Sequence, residues 1–205
     1  MHIGIDFDNT IVNYDRLFFR CALEKNLVGS DVKPDKVLIR DYIRGLNRGE
    51  ILWQKLQAKV YYYNMNQAEL MNGADDFIRE CLKREIKISI VSHKTEFAAQ
   101  DKNANLREAS LNWMAANRFF DEAGLGLKKD DVFFESTRQN KIDCISKIGC
   151  THFIDDLIEV LGDKAFPENV HKIHFNNSVP EDACQSVRRF SSWYQIQTFL
   201  FEDIG

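Results

Sequence analysis

The sequence lacks the features that mark exported or membrane-bound proteins. Its 205 residues include five cysteines, an odd number without a C-x-x-C pair, so neither a disulfide framework nor a structural zinc site is indicated. No apolar run approaches the ~18 residues that a membrane-spanning helix needs. The N-terminal residues lead directly into a strand-like pattern, without a basic stretch or a cleavable apolar segment. We therefore expect a cytoplasmic protein that does not bind membranes.

An excess of basic charge is also absent. The chain has 27 lysines and arginines against 31 aspartates and glutamates, which gives a net charge of -4. We therefore expect no surface for nucleic acid polymers, although a local basic pocket stays compatible with this balance. Only three prolines and ten glycines occur, and 44% of the residues are hydrophobic, which excludes a disordered or collagen-like chain. The length suits one domain, or one core domain that carries an insertion.

Short apolar runs alternate with helical patterns along the chain. Strand-like runs occur at His2–Phe7, Ile86–Val91, Val132–Phe134, Thr151–Ile154 and Val170–Phe175. Apolar residues at helical spacing lie between them, around Phe77, Leu111 and Ile145. This alternation predicts an α/β fold, with a Rossmann-like parallel sheet and helices on both of its faces.

One connection is far longer than the others. About sixty residues separate the first strand from the second, whereas a crossover helix needs only a dozen or so. Helical apolar spacing occurs twice in this segment, at Leu17–Ala22 and at Ile51–Val60. We predict that residues 14–72 form a helical cap inserted after the first strand, and that residues 1–13 and 73–205 form the catalytic core.

The C-terminal stretch contains a turn signal and a closing helix. Asn176–Pro180 has the composition of a turn, and the apolar residues from Trp193 to Leu200 suit a helix packed on the sheet. We expect these aromatic residues to belong to the core.

A D-x-D-x-T motif, from Asp6 to Thr10, directly follows the first strand. Two carboxylates that leave the end of a buried strand are costly to bring together unless a cation shares them. The alternative interpretation is an Asp-rich turn that ends in an N-capping Asn or Thr.

Three later segments place polar residues after strands or at helix starts. Ser92 follows the second strand, Lys141 begins the helix after the third, and Asp155–Asp156 end the fourth. Taken singly, each has an ordinary structural interpretation, with Ser92 as a helix cap, Lys141 as a solvated charge and Asp155–Asp156 as an acidic helix N-terminus. Because chemistry in parallel sheets gathers at the carboxyl ends of the strands, we expect all of them to meet at one edge.

In this order, the motifs resemble those of the haloacid dehalogenase-like superfamily, which consists mostly of Mg²⁺-dependent phosphohydrolases. The family commonly inserts a helical cap just after its first motif, where residues 14–72 lie here. The resemblance implies that Asp6 attacks phosphorus to form an aspartyl-phosphate, and that Asp8 protonates the leaving alcohol and then activates water. It also implies Mg²⁺ as the cofactor, held by the carboxylates of Asp6 and Asp156 and a backbone carbonyl of Asp8. Asp155 would support this set of metal ligands.

The resemblance further implies donors for the phosphoryl oxygens. Ser92, Lys141 and the backbone amides after Asp6 would hold them, with Asn9 and His93 as further phosphate-binding candidates. Since halide leaves without a proton and the family's dehalogenases lack an acid at the position of Asp8, its presence favours phosphoryl transfer. The expected function is hydrolysis of a small phosphate monoester, a nucleotide or a sugar phosphate. A phosphomutase, or an inactive member that binds a metabolite, are the alternatives.

The cap contains aromatic residues that could select a substrate. Trp53 and Tyr61–Tyr63 would either stack on a base or sugar, or pack the interior of the cap, which is the more common role of such a stripe.

Overall fold

The fold was obtained as a computed structural model, and the structure describes residues 1–176 and 187–201. Most of the predicted turn, residues 177–180, lies outside this range, as does Cys184.

The strands are β1 (His2–Ile5), β2 (Val12–Asn13), β3 (Glu69–Leu70), β4 (Lys87–His93), β5 (Phe97–Ala98), β6 (Asp101–Asn105), β7 (Val132–Glu135), β8 (His152–Asp155), β9 (His171–Phe175) and β10 (Val187–Phe190). The α-helices are α1 (Asp15–Glu24), α2 (Lys36–Arg44), α3 (Gly49–Ala58), α4 (Ala74–Lys83), α5 (Leu106–Ala116), α6 (Arg138–Lys147), α7 (Ile158–Leu161) and α8 (Trp193–Phe201). A π-helical turn covers Lys59–Tyr63, and 3₁₀ turns cover Met65–Gln67 and Lys129–Asp131.

Six strands form one parallel sheet in the order β10-β9-β8-β1-β4-β7. Every residue of β1 is buried, as expected for a central strand whose two faces are both covered. All five predicted strands are present, with ends that differ by one or two residues, and β10 adds a sixth that the sequence did not predict. These findings confirm the α/β, Rossmann-like fold.

The register of the strands defines two faces of the sheet. Phe153 pairs with Gly4 and lies in one apolar cluster with Ile142 of α6 and Leu161 of α7. Ile154 follows Phe153 and therefore points to the opposite face, and it pairs with Ile173 of β9. Phe175 is two residues past Ile173 on the same strand, so it also points to that opposite face.

On that second face, aromatic rings from α4 and α8 cover the sheet. The ring of Trp193 lies 5.3 Å from Phe175 and 4.9 Å from Phe77, measured between ring centroids. Helices therefore pack on both faces, and the predicted core role of Trp193 is confirmed, since it is 1% exposed.

Contacts divide the chain into two compact units. The first contains Met1–Val12, Leu70–His93 and Phe120–Gly205, and the second contains Asn13–Glu69 and Lys94–Phe119. The segment predicted as a cap thus falls almost wholly in the second unit. That unit also includes α5 and the β5–β6 hairpin, which we had assigned from the sequence to the core. The two functional names, cap and catalytic core, stay predictions.

Aromatic side chains form the interior of the second unit. Phe18 stacks on Trp53 at a centroid distance of 4.8 Å and meets Tyr61 edge-on at 5.4 Å. Trp53 and Tyr61 are 2% and 7% exposed, so of the two alternatives for these rings the structure supports packing. Tyr63 differs, because it is exposed and its hydroxyl donates to Oδ2 of Asp101 at 2.7 Å.

Within the described residues, no helix is long and apolar enough to cross a membrane.

Candidate functional site

The D-x-D-x-T motif forms a tight turn at the carboxyl end of β1. The backbone N–H of Asp6 donates to the carbonyl oxygen of Ile154 at 2.8 Å, one residue beyond β1. The N–H of Ile11 returns to the carbonyl oxygen of Phe7 at 3.1 Å. Between them, Asn9 has a left-handed backbone with φ of 60°, a conformation that asparagine adopts more readily than most residues. This turn holds the Asp6 side chain, 6% exposed, at the end of the strand.

Lys141 enters the site from the first turn of α6. The helix begins at Arg138, three residues earlier than predicted, because the side chain of Thr137 caps it by accepting from the N–H of Asn140. The ammonium of Lys141 donates to Oδ1 of Asp6 at 2.5 Å and to Oδ2 of Asp155 at 2.7 Å. Lys141 is 1% exposed, so a fully buried cation joins two acidic motifs that are distant in the sequence.

Burial and charge act against each other on these groups. Burial raises the pKa of Asp6 to about 7, and the nearby charges of Asp155 and Asp8 add to this rise, while Lys141 opposes it. Burial alone would lower the pKa of Lys141, but Asp155 and Asp6 together raise it above its ordinary value. The two acids therefore keep the buried lysine in its charged form.

Asp156 completes the acidic cluster. One oxygen each from Asp6, Asp155 and Asp156 lies within 4.8 Å of the others. The side-chain amide of Asn9 donates to Oδ2 of Asp156 at 3.2 Å, and Nε2 of His174 donates to its backbone carbonyl oxygen at 3.0 Å. Carboxylate oxygens so close together suit a hard divalent cation, since their mutual repulsion is relieved when the cation is shared.

Asp155 has a different set of contacts from its neighbour. Its Oδ2 accepts from Lys141, and its Oδ1 accepts from the backbone N–H of Leu157 at 2.9 Å. Asp155 is fully buried, whereas Asp156 is only partly buried. The adjacent acids are therefore not equivalent, because both Asp155 oxygens are engaged within the protein.

The remaining predicted residues lie at the carboxyl ends of β1 and β4. Asp8 follows the first strand by three residues and forms a backbone bridge to Val12. Ser92 is 1% exposed and pairs in register with Phe134. His93 ends β4, is exposed, and its Nε2 donates to the carbonyl oxygen of Ser136 at 3.2 Å. The structure thus gathers Asp6, Asn9, Lys141, Asp155 and Asp156 into one cluster, and it leaves Ser92 and His93 on the neighbouring strand.

Two further side chains contact the site through backbone carbonyl groups. His174 contacts Asp156, as described above, and Nε1 of Trp193 donates to the carbonyl oxygen of Thr10 at 3.2 Å. We did not predict His174 from the sequence, where it is one of three polar residues in β9. Trp193 was predicted only as a core residue. Their contacts depend on which strands are neighbours, so no local pattern could have revealed them.

Comparison with known proteins gives a fold but no close relative. No protein-family model matches the sequence, and no curated protein matches it. Solved structures match over nearly the whole chain. A haloacid dehalogenase-like hydrolase from Bacteroides fragilis is 18% identical, with 95% of this chain and 98% of that chain covered and a TM-score of 0.60.

Two other solved structures broaden this picture. A HAD family hydrolase from Deinococcus radiodurans R1, with bound phosphate and sodium, is 11% identical, with 98% of this chain and 95% of that chain covered and a TM-score of 0.60. A dehalogenase is also 11% identical, with 97% of this chain and 96% of that chain covered and a TM-score of 0.57. At such identities the likeness concerns architecture and not activity. The chain therefore has the haloacid dehalogenase-like hydrolase fold, the fold that the resemblance of its four motifs had predicted.

Proposed function

We propose that this protein is a Mg²⁺-dependent phosphohydrolase that acts on a small phosphate monoester, a nucleotide or a sugar phosphate. The single observation that carries the proposal is the buried cluster in which Lys141 joins Asp6 to Asp155 beside Asp156. A charged cluster of this kind is costly to bury, and its groups match the needs of phosphoryl transfer.

Asp6 is the proposed nucleophile. A carboxylate oxygen would attack phosphorus, the bond from phosphorus to the ester oxygen would break, and an aspartyl-phosphate would result. The turn between Asp6 and Ile11 limits the motion of this side chain, and the hydrogen bond from Lys141 fixes its Oδ1. Attack would then come from its second oxygen, Oδ2.

Asp8 is the proposed general acid and base. It lies two residues beyond the nucleophile, and its charge is one of the influences that raise the pKa of Asp6. It would give a proton to the leaving alkoxide, and then take one from the water that attacks the aspartyl-phosphate. Dehalogenation needs no such acid, because halide leaves without a proton. The presence of Asp8 therefore favours ester hydrolysis over the activity of the dehalogenase neighbour.

The acidic cluster fits Mg²⁺, which prefers hard oxygen ligands. The carboxylates of Asp6 and Asp156 and the backbone carbonyl of Asp8 would hold the ion, which supplies positive charge against the phosphoryl oxygens when it is bound. Asp155 would act mainly by holding Lys141, since both of its oxygens already accept hydrogen bonds. The role proposed here for Asp155 differs from the sequence prediction, in which Asp155 supported the metal ligands.

Positive and polar donors would hold the phosphoryl group. An ammonium has three donors, of which Lys141 uses two on Asp6 and Asp155, so one is left for a phosphoryl oxygen. Ser92, buried at the end of β4, would add a hydroxyl donor. The side chains of Asn9 and His93 hold Asp156 and the Ser136 carbonyl group here, so a phosphate contact would require each of them to change partner. The restriction to small substrates depends on the predicted cap.

A phosphatase assay tests the proposal. We expect the protein to hydrolyse p-nitrophenyl phosphate in the presence of Mg²⁺ and to lose this activity in EDTA. The variant Asp6→Asn should reduce the rate by at least about a thousandfold, because an amide is not a nucleophile at phosphorus. Asp130→Asn, at an exposed position of the first unit, is the matched control and should retain the full rate.

Chloride release from 2-chloropropionate is the second arm of this experiment. Halide release without phosphate release would replace the proposal with a dehalogenase. Full phosphatase activity in Asp6→Asn would remove Asp6 from the role of nucleophile. A panel of nucleotides and sugar phosphates would then identify the substrate by relative kcat/KM.

A further inference from the structure

We propose that His174 is a positioning residue for the metal-binding carboxylate of Asp156. The inference rests on the proposed function, and it adds a residue that none of the four motifs contains. Its basis is a hydrogen bond of 3.0 Å from Nε2 of His174 to the backbone carbonyl oxygen of Asp156.

Strand register determines why His174 reaches this carbonyl group. In the β8–β9 pair, His174 lies opposite Asp155, so their side chains point to the same face of the sheet. That is the face on which Lys141 meets Asp155. His174 is 3% exposed, so its ring is held among packed neighbours and approaches the loop after β8 from a fixed direction.

Asp156 lies one residue beyond the end of β8. Two side chains fix it from different directions, since His174 holds its backbone carbonyl group and Asn9 holds its carboxylate. The same peptide group is also held at its other end, because the N–H of Leu157 donates to Oδ1 of Asp155. Because this peptide group is held at both its carbonyl oxygen and its N–H, the carboxylate of Asp156 is oriented toward the cluster without a bound ion.

The protonation of the ring is set by this contact. A carbonyl oxygen only accepts, so the proton must sit on Nε2 of His174. Nδ1 is buried, and it has no hydrogen-bond partner among the described residues. An apolar side chain of similar size would fill the same space without an unpaired buried acceptor. What the imidazole of His174 provides, and an apolar side chain would not, is the N–H that donates to the carbonyl oxygen of Asp156.

Preorganised carboxylates bind a metal ion more tightly, and loss of a partner that orients a ligand typically weakens binding about 10–100-fold. We expect His174→Leu to weaken Mg²⁺ binding to this extent, because the Asp156 peptide loses its donor. His174→Gln places an amide N–H near the position of Nε2, and it should stay within about threefold of the wild type.

The test is isothermal titration of the EDTA-treated, dialysed protein with MgCl₂ alone. The Mg²⁺ dependence of p-nitrophenyl phosphate hydrolysis is a second readout, in which the half-saturating Mg²⁺ concentration should rise in His174→Leu while kcat at saturation changes little. The matched control is His171→Leu, the same substitution three residues earlier on the same strand, where the side chain is exposed. It should bind Mg²⁺ like the wild type.

Each outcome separates the inference from the proposed function. Equal Mg²⁺ affinity in the wild type and a folded His174→Leu variant overturns the positioning role and leaves the phosphatase proposal intact. A tenfold loss in a folded His174→Gln variant also overturns it, and this variant decides alone if His174→Leu does not fold. A wild type that binds no Mg²⁺ and releases no phosphate overturns both.

Discussion

Lys141 Nζ lies 2.5 Å from Oδ1 of Asp6, and the two side chains are 1% and 6% exposed. The residues are 135 positions apart in the sequence, yet they share a nearly dry environment with Asp155. Buried charges are tolerated when they are paired and hydrogen-bonded, and they become costly when one partner is removed. The cluster therefore links the stability of the first unit to its proposed chemistry.

Replacement of Lys141 by Met should destabilise the protein strongly. The change leaves Asp6 and Asp155 as two neighbouring buried acids without their cation, for which we expect a loss of about 3–5 kcal/mol in the free energy of unfolding. The measurement is urea unfolding at pH 8 in EDTA. Lys147→Met, on the exposed side of the same helix, should change stability by less than about 0.5 kcal/mol.

A double variant tests the cause of that loss. Lys141→Met combined with Asp155→Leu removes a cation and an anion together, so it should be more stable than Lys141→Met alone. If Lys141→Met unfolds at the same urea concentration as the wild type, the buried ion pair does not have the role described here.

Asp8→Asn should separate the two chemical steps. Nitrophenolate leaves without a proton, so the variant should still release about one nitrophenolate per active site in a rapid burst. Attack of water on the aspartyl-phosphate would then be slow, because the base is missing, with a steady rate reduced about 10²–10⁴-fold. Stopped-flow absorbance measures both phases.

The leaving group provides the control for this variant. A sugar phosphate has a poor leaving group, so formation of the aspartyl-phosphate from it also needs Asp8 as the acid. With this substrate, Asp8→Asn should show no burst of released sugar. A variant that hydrolyses both substrates at the wild-type rate would show that Asp8 is not the acid and base.

Gly4→Ala should disrupt the centre of the sheet. A Cβ atom at this position would lie 2.6 Å from Cδ2 of Phe153 and 2.8 Å from Sγ of Cys150. Because neither packed side chain can move freely, we expect a loss of about 1–3 kcal/mol, measured by thermal or urea unfolding.

Gly149→Ala is an informative comparison. Its Cβ atom would meet nothing within 4 Å, but its φ of 74° strains any residue with a side chain. The cost should be about 1 kcal/mol, and it comes from backbone strain alone. A larger loss at Gly149 than at Gly4 would contradict the close packing of β1 against β8.

Stability should fall below neutral pH, in part through His152. Burial and the neighbouring His171, whose ring stacks on it at 4.7 Å, lower the pKa of His152 to about 4. Its ordinary value is 6.5, so the unfolded chain takes up the proton first as pH falls. The stability contributed by neutral His152 is complete above pH 6.5 and is lost progressively towards pH 4.

The expected loss from this histidine is about 1 kcal/mol at pH 5, less than the full difference in pKa would give, because the ring is only partly buried and solvent screens its charge. Chemical unfolding at pH 7 and pH 5 measures it, and His152→Gln should show a correspondingly smaller change between the two. An identical pH dependence in both proteins would assign the effect to other groups.

Much of the architecture could be predicted from local patterns. The five strands from β1 to β9 that join the main sheet have apolar runs, and α4, α5 and α6 have apolar residues at helical spacing. Gly149, two residues past the end of α6, has the positive φ that glycine commonly adopts after a helix. The missed strand, β10, has two arginines among its four residues and lies at the edge of the sheet, where apolar character is not required.

The residue types of the site could also be read from the motifs, because the proposed chemistry needs carboxylates at strand ends and a lysine nearby. Their division into roles could not. Asp155 and Asp156 are adjacent and identical in the sequence, but one is fully buried against Lys141 and the other is held by Asn9 and His174.

The sequence by itself thus determined five of the six strands of the main sheet and the helices α4, α5 and α6, since apolar periodicity acts over a few residues. It also determined which polar groups follow them. Only the tertiary structure decided which strands are neighbours, and hence that His174 meets Asp156 and that Trp193 meets Thr10. The physical reason is that these contacts join residues 18 and 183 positions apart, through packing that depends on the whole sheet.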